Sequence, residues 1–453
     1  MRKKVDLTSG DILKTLTKLA LPIMGTSFIQ MAYNLTDMLW IGQTGSAAVA
    51  AVGTAGFFIW FSQSLFTLSR VGAEVFVAQS LGEEDEEEAR KFSVSAVQIS
   101  VILSIFYSLF IFFFRHPLIG FFKLEDSNVI HMAVAYLGYI SLGFIFSFLN
   151  PVFTGIFNGA GMSKVPFLIN AVGLVINIVL DPLLIFGLGP FPEMGVVGAA
   201  IATIFAQLVV TLIFIIIMKK HQESYFRINV FQKINMAYSQ KIMKLGLPVA
   251  IQNGIFSMIG MALARIIAGY GPTAVAVQKV GSQIESISWM TAGGFSTALS
   301  AFIGQNYGAK KYDRIIKGYR AALFTVSIIG IFTTILLVFF AEPIFRLFIP
   351  EAEAIELGVV YLQILGLSQW FMTIEISTQG AFNGLGKTTI PSAVGVTFNA
   401  LRIPAAYFLS TYTALKLNGV WWSVSVSSMF KGAVLVFLFY HMVIKQYYKE
   451  GTI

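Results

Sequence analysis

The chain of 453 residues is 56% hydrophobic and only 12% charged, with a mean hydropathy of +0.76 and a formal net charge of +8. Soluble domains run near 25% charged residues, so the composition excludes a pair of large soluble domains and requires an integral membrane protein. There is no cysteine, which excludes a disulfide framework, thiol chemistry and a thiolate metal site, and the basic excess sits in short loops rather than in a nucleic-acid patch.

The stretch Met1–Ser9 is polar, and the apolar segment after it is too long for a signal-peptide core, so no cleavable signal is expected. Apolar segments of spanning length then follow at 18–41, 54–80, 93–114, 129–157, 165–188, 196–218, 243–268, 279–306, 318–341, 356–380, 390–412 and 419–444. Twelve is even, which places both termini on one side. Of the 31 Lys and Arg residues, 22 flank that side, whereas only Arg115, Lys123, Arg346 and Lys416 flank the other. The positive-inside rule makes the termini cytoplasmic, in a cell (plasma or inner) membrane.

The first segment carries Gln30, Tyr33, Asn34 and Asp37 at spacings of three and four, so they share one helix face. An ionised Asp at the centre of a spanning helix costs roughly 2.5–3.5 kcal/mol on insertion scales. Asp37 is therefore a functional candidate, the alternative being a structural acid paired with a neighbouring helix. In the fifth segment Asn177 and Asp181, four apart, share a face, and Pro182 frees the carbonyl of Ile178 as a further cation ligand or water partner. Asp37 and Asp181 in one bundle would form an ion or proton site. The cytoplasmic loop at Gly82 reads Glu83-Glu-Asp-Glu-Glu-Glu88, while the loop at Gly308 carries Lys310, Lys311 and Arg314; their opposite charge would let them attract and favour an inner gate.

The two halves repeat. A shift of 226 lays Leu19, Leu21 and Pro22 on Leu245, Leu247 and Pro248, and Gly45, Gln79 and Gly82 on Gly271, Gln305 and Gly308. Farther along, a shift of 225 lays Tyr136 on Tyr361, Gly155 on Gly380, and Asn158-Gly-Ala-Gly161 on Asn383-Gly-Leu-Gly386. Six spans is an even number, so the halves are parallel repeats, an arrangement that transporters use to build two bundles around a central cavity. The expected fold is an all-α integral membrane protein of twelve transmembrane helices in two six-helix lobes. They occupy residues 1–218 and 243–453, with a cytoplasmic linker at 219–242. The acids of the first half are not repeated: Asp37 maps to Leu263, and Asn177 and Asp181 map to Arg402 and Ala406. The second half offers instead Glu375, and a polar set of Glu285, Lys279, Arg265, Arg402 and Lys431 that would form a network.

The run from Tyr33 through Asp37-Met-Leu-Trp-Ile-Gly42 to Gly45 resembles the multidrug and toxic compound extrusion family. So do the paired Gln79-Ser-Leu-Gly82 and Gln305-Asn-Tyr-Gly308 turns and the stretch from Asn177 to Gly187. The resemblance covers the whole chain. It implies an exporter of amphipathic, often cationic compounds, driven by proton or sodium inflow, with Tyr33, Asp37, Asn177 and Asp181 as an amino-lobe cation site and Tyr136 beside them. The sodium-driven branch also carries acids on segments seven and ten. This chain has none between Pro248 and Gly269, and Glu375 is displaced by about a turn, which favours coupling in the first lobe.

The sequence thus leads to a proton-coupled antiporter working by alternating access, with Na+ at Asp37, Asp181 and Asn177 the alternative ion, no cofactor and no obligatory metal. Gln30, Asn34, Tyr136 and Glu375 are candidates for substrate contact or coupling. The expected partners are small organic cations and the lipid bilayer, and a monomer suffices. A lipid-linked oligosaccharide flippase of the same superfamily would need a cavity dense in cations, for which only Arg265, Arg402 and Lys279 are candidates. A narrow metabolite exporter stays open. An intramembrane enzyme would need a catalytic set that the spans lack, and a channel would need a filter-like loop.

Overall fold

The computed structural model describes residues 5–349 and 351–449. Arg2, Lys3 and Lys4, which enter the charge count above, and the last residues of the second lobe lie outside the described residues. The elements are α1 (Ile12–Gln43), α2 (Ser46–Gly82), α3 (Glu86–Gly120), α4 (Ser127–Leu142), α5 (Phe144–Gly159), α6 (Lys164–Ile185) and α7 (Gly195–Lys220). After the linker come α8 (Met236–Ala268), α9 (Pro272–Gly308), α10 (Tyr312–Phe339), α11 (Ala341–Arg346), α12 (Ala352–Gly366), α13 (Gln369–Gly384), α14 (Thr389–Tyr412), α15 (Leu417–Phe439) and α16 (Lys445–Lys449). There is no strand among the described residues, as lipid demands of any chain that does not close a barrel.

The twelve spans come in three kinds. Eight are single helices long and apolar enough to cross a bilayer: α1, α2, α3, α6, α7, α8, α10 and the stretch Leu417–Tyr447. The fourth and tenth, each read from the sequence as one apolar segment, are broken: α4 meets α5 at 50°, and α12 meets α13 at 47°. Gly143 marks the first break, where a Cβ would lie 2.5 Å from Ile204. The remaining two, α9 and α14, have the length but not the apolarity. Their interiors explain the deficit, since α9 buries Glu285, Gln305 and Asn306, and α14 buries Asn399 and Arg402.

The repeat extends from residue identity to backbone geometry. Gly45 and Gly271 enter the second helix of each half at φ 117° and 99°, and Gly161 and Gly386 follow the fifth helix pieces at φ 78° and 73°. At both of the latter, an N–H closes back five residues, from Met162 to the Phe157 carbonyl and from Lys387 to the Phe382 carbonyl. That left-handed helix ending suits glycine because it has no Cβ to clash. Where α2 and α9 end, the same closure is made by Glu84 at φ 60° and Lys310 at φ 57°. The packing repeats too. A Cβ on Gly159 would lie 2.5 Å from the carbonyl oxygen of Glu74, and one on Gly384 would lie 2.5 Å from that of Ser300. Small residues let helix backbones approach, which is how helices associate where lipid supplies no hydrophobic drive. Near the C-terminal end of α3, Phe113, Phe114 and Phe121 are exposed, as are their counterparts Phe339, Phe340 and Leu347 at the end of α10 and after α11, in the manner of an interfacial belt.

The described chain forms two compact units, one of Val5 with residues 25–250 and the other of residues 6–24, 251–349 and 351–449. The division between these compact units comes within the first helix of each half. It falls inside α1 and α8, three residues after Pro22 and Pro248, at positions 226 apart. Within the first unit, Gly246 of α8 lies against Leu68, where a Cβ would come 2.0 Å from its carbonyl oxygen. Within the second, Gly294 of α9 lies against Met24 of α1. Each first helix thus begins in one unit and ends in the other, and its proline removes a backbone hydrogen bond near the crossing.

The charged loops are engaged inside their own units. Asp85 caps α3 by accepting the Glu88 N–H at 2.8 Å, Glu87 pairs with Arg90 at 2.6 Å, and Glu86 accepts from the Ser224 hydroxyl at 3.2 Å. The basic loop holds the segment ahead of α1 by its carbonyls. Lys311 donates to Thr8 at 2.9 Å, Asn306 to Leu7 at 2.9 Å, and Arg314 to Ser9 and Gly10 at 2.5 and 2.7 Å.

The paired helix crossings make a direct prediction. Gly159→Ala and Gly384→Ala each overpack a backbone contact and cost about 1–3 kcal/mol, read as a lowered melting temperature of the purified protein. Gly53→Ala, with open space around its Cβ position, leaves that temperature unchanged or raised.

Candidate functional site

The first unit gathers a site from four helices. α6 turns Gly173, Asn177 and Asp181 to its buried side at intervals of four. The absence of a side chain at Gly173 admits Tyr33 of α1, whose hydroxyl lies 2.4 Å from the position a Cβ there would take. One turn farther along α1, Asp37 comes close to Asp181 and Asn177. Asn177 donates to Asp181 Oδ1 at 3.1 Å, and Thr203 of α7 donates to Asp37 Oδ2 at 3.4 Å. Tyr136 of α4 is buried, near enough to feel the charge of both acids. Neither acid forms a salt bridge among the described residues.

Four oxygens are left over. Tyr33 Oη, Asp37 Oδ1, Asn177 Oδ1 and Asp181 Oδ2 are buried without a hydrogen-bond partner. Two carboxylates repel each other, and buried acceptors without donors cost free energy. A bound proton or a small hard cation relieves both, and the set of carboxylate, amide and hydroxyl oxygens suits either.

The geometry sorts the sequence candidates. Tyr33, Asp37, Asn177, Asp181 and Tyr136 come together. Gln30 and Asn34 do not join them and are exposed on α1. Thr203 is the residue that sequence reasoning missed. Its signal was present: in the apolar α7, the polar residues Thr203, Gln207 and Thr211 recur every four positions and so share one face. The last two bond to Asn150 of α5, which donates to Gln207 Oε1 at 2.7 Å and accepts from Thr211 at 2.8 Å.

The second unit answers with a different interior. Tyr361, the repeat partner of Tyr136, donates to Glu285 Oε1 at 2.5 Å, and Gln369 donates to Glu285 Oε2 at 3.3 Å. Glu375 pairs with Lys431 at 2.9 Å, with both side chains below a tenth exposed. Arg402 donates to Ser427 at 2.5 Å and Ser428 at 2.9 Å. Glu285, Arg402, Lys431 and Glu375 are thus all buried in this unit, bonded in three separate groups. Arg265 and Lys279 are exposed and stand apart from them. The acids here include one ion pair, whereas neither acid of the first unit's pair bonds to a base among the described residues.

Twelve spans in two repeated lobes, with polar clusters buried inside the bundles, define a multi-pass membrane transporter rather than an enzyme. The MatE family model matches residues 22–183 and again 248–408, one match in each repeat, so the chain belongs to the MatE family. It is 28% identical over 430 residues to the probable multidrug resistance protein NorM of Thermotoga maritima, covering 95% of this chain and 92% of that one. It is 27% identical over 389 residues to the FAD transporter of Shewanella oneidensis, covering 84% of each. Among solved structures, the outward-facing conformation of a multidrug resistance MATE family transporter of the MOP superfamily aligns with a TM-score of 0.88 at 25% identity, covering 98% of this chain and 99% of that one.

The buried pair of the second unit is testable by itself. Lys431→Met strands Glu375 and costs about 3–5 kcal/mol, while adding Glu375→Gln restores most of the loss. Thermal unfolding of the two variants checks this. If the two changes simply add, the pair is not coupled.

Proposed function

We propose that the protein is a cation-coupled antiporter that exports amphipathic, often cationic drugs or toxic compounds across the cell membrane by alternating access. It works as a monomer with cytoplasmic termini. The reading rests on one observation above the rest: two carboxylates in one bundle each keep a buried, unpartnered oxygen beside those of Tyr33 and Asn177, and neither acid pairs with a base among the described residues. Asp37 and Asp181 take up the cation from outside, Asn177, Thr203 and Tyr33 orient them, and Tyr136 closes the bundle beside them. Coupling needs only that substrate and cation prefer different conformations, because a ligand shifts an equilibrium only by its differential affinity. The proton is favoured over Na+, since Glu375 is already paired with Lys431 and the α8 stretch after Pro248 holds no acid to build a second sodium site.

A narrower metabolite exporter is the second reading, and the Shewanella relative described as an FAD transporter favours it. The flippase reading loses support, because Arg402 is taken up by serines inside its own bundle.

In proteoliposomes or inverted vesicles, an imposed proton gradient should drive ethidium transport by the wild type. Asp37→Asn should abolish the gradient-driven component. Thr203→Val removes a hydrogen bond to a charged group and should weaken the cation's apparent affinity by about tenfold, with maximal transport retained at high cation concentration. Full gradient-driven transport by Asp37→Asn overturns the coupling site. Transport driven by a sodium gradient alone replaces the proton with Na+ at the same residues. FAD transport without ethidium transport establishes the metabolite reading.

A further inference from the structure

The linker that follows α7 contains Phe231, which is 99% exposed, more than any other large hydrophobic side chain among the described residues. Its surroundings show that this exposure is built. The side-chain amide of Gln98, itself 4% exposed on α3, donates to the carbonyl of Val230 at 3.0 Å and to that of Gln232 at 2.8 Å. One amide thus clamps the backbone on both sides of Phe231. The N–H of Phe231 is taken by Asn229 Oδ1 at 3.1 Å. Earlier in the linker, Tyr225 and Phe226 are buried in the core of the first unit. The linker is therefore anchored at its polar groups and at two aromatic rings, and a third ring is presented outward.

What the ring meets is indicated by its neighbours. Ile234 and Met236 are exposed beside it, and Met243 and Leu247 carry exposed apolar surface along α8 at helical spacing. Lys219 and Lys220 end α7, and Arg227 and Lys233 lie along the linker, whose one acid is Glu223, while Glu86 of α3 meets it at Ser224, well before Phe231 in the chain. An outward aromatic ring flanked by aliphatic and basic side chains matches a lipid surface that is apolar below its headgroups and negative at them. The C-terminal ends of α3 and α10 use exposed aromatic and aliphatic residues in the same manner, but those come in repeated pairs. Phe231 has no such partner, since position 5 of the first repeat is Val5.

We infer that Phe231, with Ile234, Met236 and Lys233, forms an interfacial anchor that docks the linker on the anionic cytoplasmic leaflet. The clamp from Gln98 holds the ring at a fixed depth while the basic residues meet the headgroup phosphates. The one cytoplasmic connection between the two repeats is then tied to the plane of the membrane rather than free in solution.

The cysteine-free chain makes the test clean. Phe231→Cys carries a single nitroxide label, and because the ring is exposed its replacement removes no buried contact. Gln222→Cys, also exposed on the linker, is the aqueous reference. Both are placed in nanodiscs, which open both faces to reagents, made either of phosphatidylcholine alone or with phosphatidylglycerol. The expected result is a label at 231 relaxed more by oxygen than by a water-soluble nickel chelate, at a depth below the phosphates. The label at 222 should show the reverse. Adding phosphatidylglycerol should deepen the 231 label, and Lys233→Glu should cancel that gain. A label at 231 as open to nickel as that at 222, in both lipid mixtures, overturns the anchor. Shielding from both reagents also overturns it, because a protein surface would then cover the ring.

Discussion

Two carboxylates in one lipid-embedded bundle, neither paired with a basic residue among the described residues, are the constraint on which the first unit turns. Asp37 and Asp181 stand on α1 and α6, and a like-charge pair cut off from water is costly unless a positive charge joins it. The polar residues around the pair do not remove that cost. Asn177 and Thr203 each satisfy one oxygen, and the rest of the set stays without donors. A bundle so arranged favours whatever brings a positive charge, which is what a coupling site must do.

The second unit shows what the same architecture does without that constraint. Its spans follow those of the first at near-constant offsets, down to the left-handed residues that end helices and the glycines that admit a neighbouring backbone. Its buried acids have partners, however. Glu375 has Lys431, and Glu285 has the hydroxyl of Tyr361 and the amide of Gln369. Breaking a buried pair is expensive although forming it gains little, so this interior resists change. The acid cluster of one repeat includes an ion pair and that of the other does not, and the difference rests on a few side chains in a shared scaffold.

The scaffold also distributes stiffness. Each first helix begins in one compact unit and ends in the other, and each carries a proline just ahead of the crossing. The breaks of the fourth and tenth spans fall at equivalent places, near 50° in both. Segments ahead of the first helices are held by their carbonyls, Leu7 to Gly10 by Asn306, Lys311 and Arg314, and Val230 and Gln232 by Gln98. The soft points and the fastened points both respect the repeat.

The sequence by itself determined the membrane class, the twelve spans, the repeat and the two acids. Apolarity over spanning lengths, an offset kept across many residues and a charge within a membrane-spanning stretch are all one-dimensional signals. It did not decide which neighbours of Asp37 would meet Asp181. Gln30 and Asn34 have the right spacing, yet Tyr33 goes inward because Gly173 on another helix leaves room for its ring. Thr203 is some 166 positions from Asp37, and only the packing of α7 against the bundle joins them. The same holds for Glu375, whose role as a partner of Lys431 depends on how α13 meets α15. Helix periodicity fixes which residues share a face. Which face meets which is set by small residues and volumes on other helices, and only the tertiary structure contains that information.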